Sequence, residues 1–205
     1  MSRLAGACGW RHDERMLTDR APRNTAWRAG FQKSDLLTSL PVPADDRLCA
    51  QANSLASALE AGTAADLRRV CAGYLNVAAD FYGVERPEVR VLAARPLRTR
   101  EGGGTSELYG DYSPESHLIR VWMCTAVRKQ VTSFGTFLST LCHEFCHHLD
   151  YHRFKFRDSW HTRGFYERTA ALYHHTRGTP AKQLFWVRLP GGRWRIDWQR
   201  TRQGG

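Results

Sequence analysis

Apolar positions along the chain fall into two spacings, helical and alternating, and these lay out its elements. Leu48, Ala52, Leu55 and Leu59 form one stripe of a helix from about Asp45 to Ala61, closed by Gly62. Thr63 and Asp66 then resemble a capping box. The helix they open carries Leu67, Val70, Cys71, Tyr74, Val77, Ala78 and Phe81 at helical spacing and stops at Gly83. Pro87 forbids further helix, so Val89 to Ala93 reads as a strand. Glu107 to Tyr112 and His117 to Met123 read as a hairpin joined by Ser113-Pro114-Glu115-Ser116, with Ile119, Val121 and Met123 facing a core and Arg120 and Trp122 facing away. A helix from about Phe134 turns Phe137, Leu138, Leu141, Phe145 and Leu149 inward, and another spans Thr162 to about Arg177. Leu184 to Leu189 and Arg193 to Trp198, split by Pro190-Gly191-Gly192, predict a closing hairpin.

This order predicts an α+β fold with a short, mostly antiparallel sheet and a C-terminal β-hairpin. Residues 1–43 show neither period and close on Pro41-Val42-Pro43, so they are expected to be a poorly ordered basic arm ahead of a domain over 44–178, with 179–205 as a basic, Trp-rich hairpin and tail. At 205 residues one core is the expectation. Gly102-Gly103-Gly104 reads as a flexible loop; without a following Lys-Ser or Lys-Thr it is no phosphate cradle.

Chemistry enters with Leu141 to Asp150. His143 and His147 stand four apart, so in a helix both imidazoles project from one face and can share a zinc ion. Glu144 beside them completes His-Glu-x-x-His, in which a carboxylate takes the proton of a water that the metal has acidified. Catalytic zinc takes three protein ligands, so one is missing. His148 and Asp150 lie at the wrong angle or distance on the same helix. The spacing of a metzincin is absent, because Asp150 and Arg153 stand where its Gly and third His would be. His161 ranks first, at the mouth of the next helix after a connection long enough to return across the metal. Glu167 is its rival at the thermolysin-like separation, although Ala171 replaces the Asp that usually follows. Tyr112, Tyr151 and Tyr166 are candidate donors to a developing oxyanion, but each reads first as an amphipathic residue at the core boundary. His174 and His175 read as surface residues at a helix C-terminus.

A helix-hairpin-helix layout with His143-Glu144-His147, followed after a short connection by a His four residues before an aromatic (His161 and Phe165), resembles the SprT-like small zincin metallopeptidases over about residues 64–177. The resemblance implies a zincin-like domain hydrolysing peptide bonds, with Zn2+ held by the three histidines and Glu144 as general base. It also implies that an extended protein or peptide substrate lies on the strand around His117 to Met123. Members acting on DNA-bound proteins often add a cysteine-based zinc ribbon. The six cysteines, at 8, 49, 71, 124, 142 and 146, contain no CxxC pair, so no ribbon and no disulfide framework is expected, and Cys142 and Cys146 read as small buried residues behind the ligand face.

Charge adds a second reading. The net charge is +10, and residues 179–205 carry six basic side chains against one acidic. Trp194, Ile196 and Trp198 alternate with Arg193 and Arg195. They form either a base-stacking platform beside phosphate contacts or tryptophans packed on the core with arginines in water, and the second is favoured. A silent zinc-stabilised module that binds nucleic acid through this segment is therefore the alternative to an enzyme. No apolar run approaches the ~20 residues of a membrane helix, and Met1 to Phe31 lacks the apolar stretch of a secretory signal, so a cytoplasmic protein without membrane contact is expected.

Overall fold

A computed structural model describes residues 16–99 and 105–204. The expected Gly102–Gly104 loop and the first fifteen residues of the expected arm lie outside them. The elements, in order, are α1 (Thr25–Leu36), α2 (Arg47–Ala61), α3 (Ala64–Tyr82), β1 (Glu88–Ala94), β2 (Leu97–Thr99), β3 (Thr105–Glu107), β4 (Gly110–Ser113) and β5 (Leu118–Cys124). They continue with α4 (Phe134–His152), α5 (Arg163–Arg177), β6 (Trp186–Arg188), β7 (Trp194–Ile196) and α6 (Trp198–Gln203). The fold is mixed α+β. No helix among the described residues is long and apolar enough to cross a membrane.

The helical periods predict their elements to within a few residues because each is closed by local chemistry. Gly62 and Gly83 end α2 and α3 in the left-handed conformation that glycine adopts without a Cβ penalty. Thr63 does not accept a backbone hydrogen bond as a cap; its hydroxyl instead donates to Asp66 at 2.8 Å. The inward positions of α4, Phe137, Leu138, Leu141, Phe145 and Leu149, are all buried, and they meet Leu67, Cys71, Tyr74 and Leu75 of α3 and Ile119 and Val121 of β5 in one core. Cys142 and Cys146 are buried as expected, and burial pushes the Cys146 thiol up to about 12, leaving it inert at neutral pH. The described cysteines are free thiols.

The sheet departs from expectation. Its order is β1-β5-β4, with β4 antiparallel to β5 but β1 parallel to it, from Glu88 against Leu118 to Ala94 against Cys124. The parallel pair is possible because a long excursion through β2, β3 and β4 returns the chain for a crossover. Glu107 to Tyr112 is not one strand. Glu107 closes β3, where its carboxylate takes Arg95 Nη1 at 3.0 Å and the Ala126 amide at 3.3 Å, and β4 starts anew at Gly110. Trp122, expected to face outward, is buried.

The arm is corrected over its described part. Asn24 caps α1 by accepting from the amides of Ala26 and Trp27, and α1 docks on α5. The contact is polar: the buried Arg168 guanidinium donates to Ser34 O at 3.1 Å and Leu37 O at 2.6 Å, and Asp35 pairs with Arg163. Gly164 lets the backbones meet, since a Cβ there would lie 2.1 Å from Ser34 O. At the other terminus the expected hairpin forms as β6 and β7, with Ile196 buried and Trp186 and Trp198 packed against the core.

Candidate metal centre

Ser133 caps α4 by accepting from the Thr136 amide, and the helix then presents His143, Glu144 and His147 on consecutive turns. His161 arrives from the connection before α5, whose first turn is fixed by Thr162 Oγ1 accepting from the Phe165 amide at 3.1 Å. His161 Nε2 lies 3.0 Å from His143 Nε2, which lies 3.2 Å from His147 Nε2. These three residues offer ligand atoms all within 4.8 Å of one another and could hold a metal ion. Phe165 forms an apolar wall beside the three rings, with centroids 4.9, 4.5 and 5.3 Å from those of His143, His147 and His161.

Electrostatics suit a ligand set. Burial, joined by the neighbouring imidazoles, holds His143 and His147 well below the usual histidine range, so both are neutral, as metal ligation requires. His147 Nδ1 donates to Ser159 Oγ at 2.7 Å, and that hydroxyl donates on to Asp150 Oδ2, also at 2.7 Å. The direction of this relay leaves the His147 Nε2 lone pair facing the other two rings. Asp150 is itself paired with Arg168 at 2.8 Å, both fully buried; burial nonetheless pushes its carboxyl up to about 6, so the pair is ionised at neutral pH.

Glu144 is 5% exposed, and burial, reinforced by Asp111, lifts its carboxyl well above the usual range. Strand β4 presses on it at Gly110, where a Cβ would sit 2.8 Å from Glu144 Oε1 and 2.6 Å from Thr140 Cγ2. Only glycine leaves the carboxylate its place. Above these groups opens a cleft of about 520 Å³, walled by Leu108 to Tyr112 on one side and by Tyr151, Ser159 and Tyr166 on the other.

Other expectations resolve differently. Glu167, the rival ligand, stands apart from the cluster and accepts from Trp186 Nε1 at 3.0 Å. The strand His117 to Met123 is not an edge: β5 lies between β1 and β4, and β4 is the outer strand beside the cleft. The three tyrosine hydroxyls are engaged, Tyr112 with His148 and His152, Tyr151 with Asp158 and Tyr166 with the Leu17 carbonyl. His174 is buried rather than on the surface, its Nδ1 2.8 Å from Thr179 Oγ1.

His148 is fully buried, with Nε2 donating to Glu85 O at 2.7 Å and Nδ1 3.0 Å from the Tyr112 hydroxyl. Burial, against the Glu85 hydrogen bond and with help from His152, lowers its pKa to about 4. The unfolded chain therefore binds a proton at this site below about pH 6.5 that the folded chain refuses until about 4, so stability falls as pH drops through that window. The loss expected of this residue is roughly 3 kcal/mol. Urea unfolding of the metal-free protein should show a flatter pH dependence in His148→Gln than in the wild type, and parallel curves would contradict this.

Comparison with protein-family models, with curated proteins and with solved structures finds no match for this chain.

Proposed function

We propose that the protein is a zinc-dependent metallopeptidase of small zincin type, with His143, His147 and His161 as the metal's ligands and Glu144 as general base. The observation that carries this reading is the convergence of three imidazole Nε2 atoms beside a buried carboxylate, at the floor of a cleft bordered by an outer strand. Three imidazoles are a donor set for zinc and leave room for a fourth, exchangeable ligand. When bound, zinc supplies a Lewis acid that acidifies a water and polarises a carbonyl.

The chain's residues do the rest. Glu144 takes the proton of the attacking water on its carboxylate and passes it to the departing amine, a task for which a raised pKa suits it. The outer edge of β4 offers backbone groups to an extended peptide, which places the substrate one strand away from the position implied by the resemblance. Gly110 keeps that strand close enough for Glu144 to reach a bond lying along it.

A nucleic-acid module draws less support. Trp186 donates to Glu167, Trp198 packs against the core and Arg163 lies 4.6 Å over the Trp194 ring, so these faces are taken up within the fold.

The test is cleavage of an unfolded protein by the zinc-loaded chain. Cleavage is expected to cease on chelation, to return with added zinc, and to be absent in His161→Ala. Zinc should also raise the melting temperature, by the equivalent of about 2.7 kcal/mol at a hundredfold excess over its dissociation constant. Stabilisation by zinc without cleavage of any substrate in a broad screen would favour the silent module.

A further inference from the structure

His143 and His147 inherit their positions from one helix, whereas His161 lies in a connection and is placed by what packs around it. The packing comes from two segments far apart in sequence. Thr18, which is fully buried, donates its amide to Trp194 O at 2.9 Å; its Oγ1 accepts from the Trp194 amide at 2.8 Å, and its carbonyl accepts from Arg193 Nε at 2.8 Å. Leu17 bridges Arg195 in antiparallel fashion. Residues 17 and 18 are thus laid along β7.

Fixed in this way, Asp19 grips His161 on both sides. Its amide donates to His161 O at 2.9 Å, its Oδ2 accepts from the His161 amide at 2.9 Å, and the same oxygen lies 3.4 Å from His161 Nδ1. Tyr166, donating to Leu17 O at 3.2 Å, stacks its ring on the imidazole from the remaining side, 5.8 Å between centroids. A carboxylate on Nδ1 selects the tautomer with that nitrogen protonated and leaves the Nε2 lone pair directed at the other two histidines.

We infer that Asp19 is a positioning residue for His161, and that the β6–β7 hairpin serves the metal centre by holding Asp19 against it. The inference rests on the metal-centre reading above. It gives the basic C-terminal segment work within the chain: Arg193 is a clasp on the Thr18 carbonyl.

Zinc affinity, measured by competition with a fluorescent chelator, tests this together with the melting temperature of the metal-free protein. Asp19→Asn keeps an acceptor for the His161 amide but removes the charge facing Nδ1. It should weaken zinc binding about 10- to 100-fold while leaving the metal-free melting temperature unchanged. Arg193→Met, which keeps the apolar stem and removes the donor to Thr18, should weaken zinc binding by a smaller factor in the same direction. If Asp19→Asn melts early, Arg193→Met decides: zinc affinity equal to wild type would overturn the inference. Wild-type protein that binds no zinc would overturn the metal centre and this inference with it. Wild-type protein that binds zinc beside an Asp19→Asn variant of equal affinity would overturn this inference alone.

Discussion

Glu144→Gln is expected to keep its zinc and lose its hydrolysis. The amide has nearly the carboxylate's shape, so it fills the space that Gly110 leaves and disturbs none of the three Nε2 atoms. It cannot take a proton from water. Removal of a general base costs about 10²- to 10⁴-fold in rate, and in the proposed mechanism the same group would also deliver the proton to the leaving amine. The substitution relieves a buried carboxylate of its desolvation and of repulsion from Asp111, so the fold should not suffer. Zinc per chain and the rate of cleavage of an unfolded protein, measured on one preparation, read both halves of the expectation. Full activity in Glu144→Gln would sink the mechanism.

Asp150→Ala is expected to cost about 3–5 kcal/mol of stability, the usual consequence of leaving one charge of a buried pair without its partner. The Arg168 side chain is 1% exposed and that of Asp150 0%, so no solvent screens the loss. Against a total stability of about 5–15 kcal/mol, this is a large share. The damage should also reach the candidate metal centre, because Ser159 loses the acceptor of its hydroxyl proton, which keeps its oxygen lone pair toward His147 Nδ1. Arg168→Met should destabilise by a similar amount, and it also strips the carbonyls of Ser34 and Leu37 of their donor. The double variant should cost less than the sum of the two; strict additivity in urea unfolding would show the pair to be uncoupled.

What the sequence made legible follows from which interactions leave a period in it. Helices α2 to α5 bury apolar stripes, and their spacing located them. The histidine pair on α4 was legible for the same reason, since a helix turns a separation of four residues into proximity. His161 follows from the third ligand that zinc needs and from the length of the connection, and its Nε2 lies with the other two histidines. Helix α1 leaves little period to read because its dock on α5 is made of backbone carbonyls, Ser34 and Arg168, and its apolar pair, Trp27 and Phe31 edge-on to Trp160, is too short a stripe. Asp19 was invisible for a related reason: it is one of four acids in a basic segment, and its value comes from a contact 142 residues away. Strand β1 was found but its direction was not, because the alternation of Val89 and Val91 is the same whichever way the neighbouring strand runs.

The most direct test of the central claim is the coordination sphere of the bound metal, determined by crystallography with anomalous scattering at the zinc edge. The expected result is one zinc per chain held by Nε2 of His143, His147 and His161, with a water in the fourth position beside Glu144. A fourth protein ligand in that position, or zinc bound elsewhere in the chain, would contradict the account.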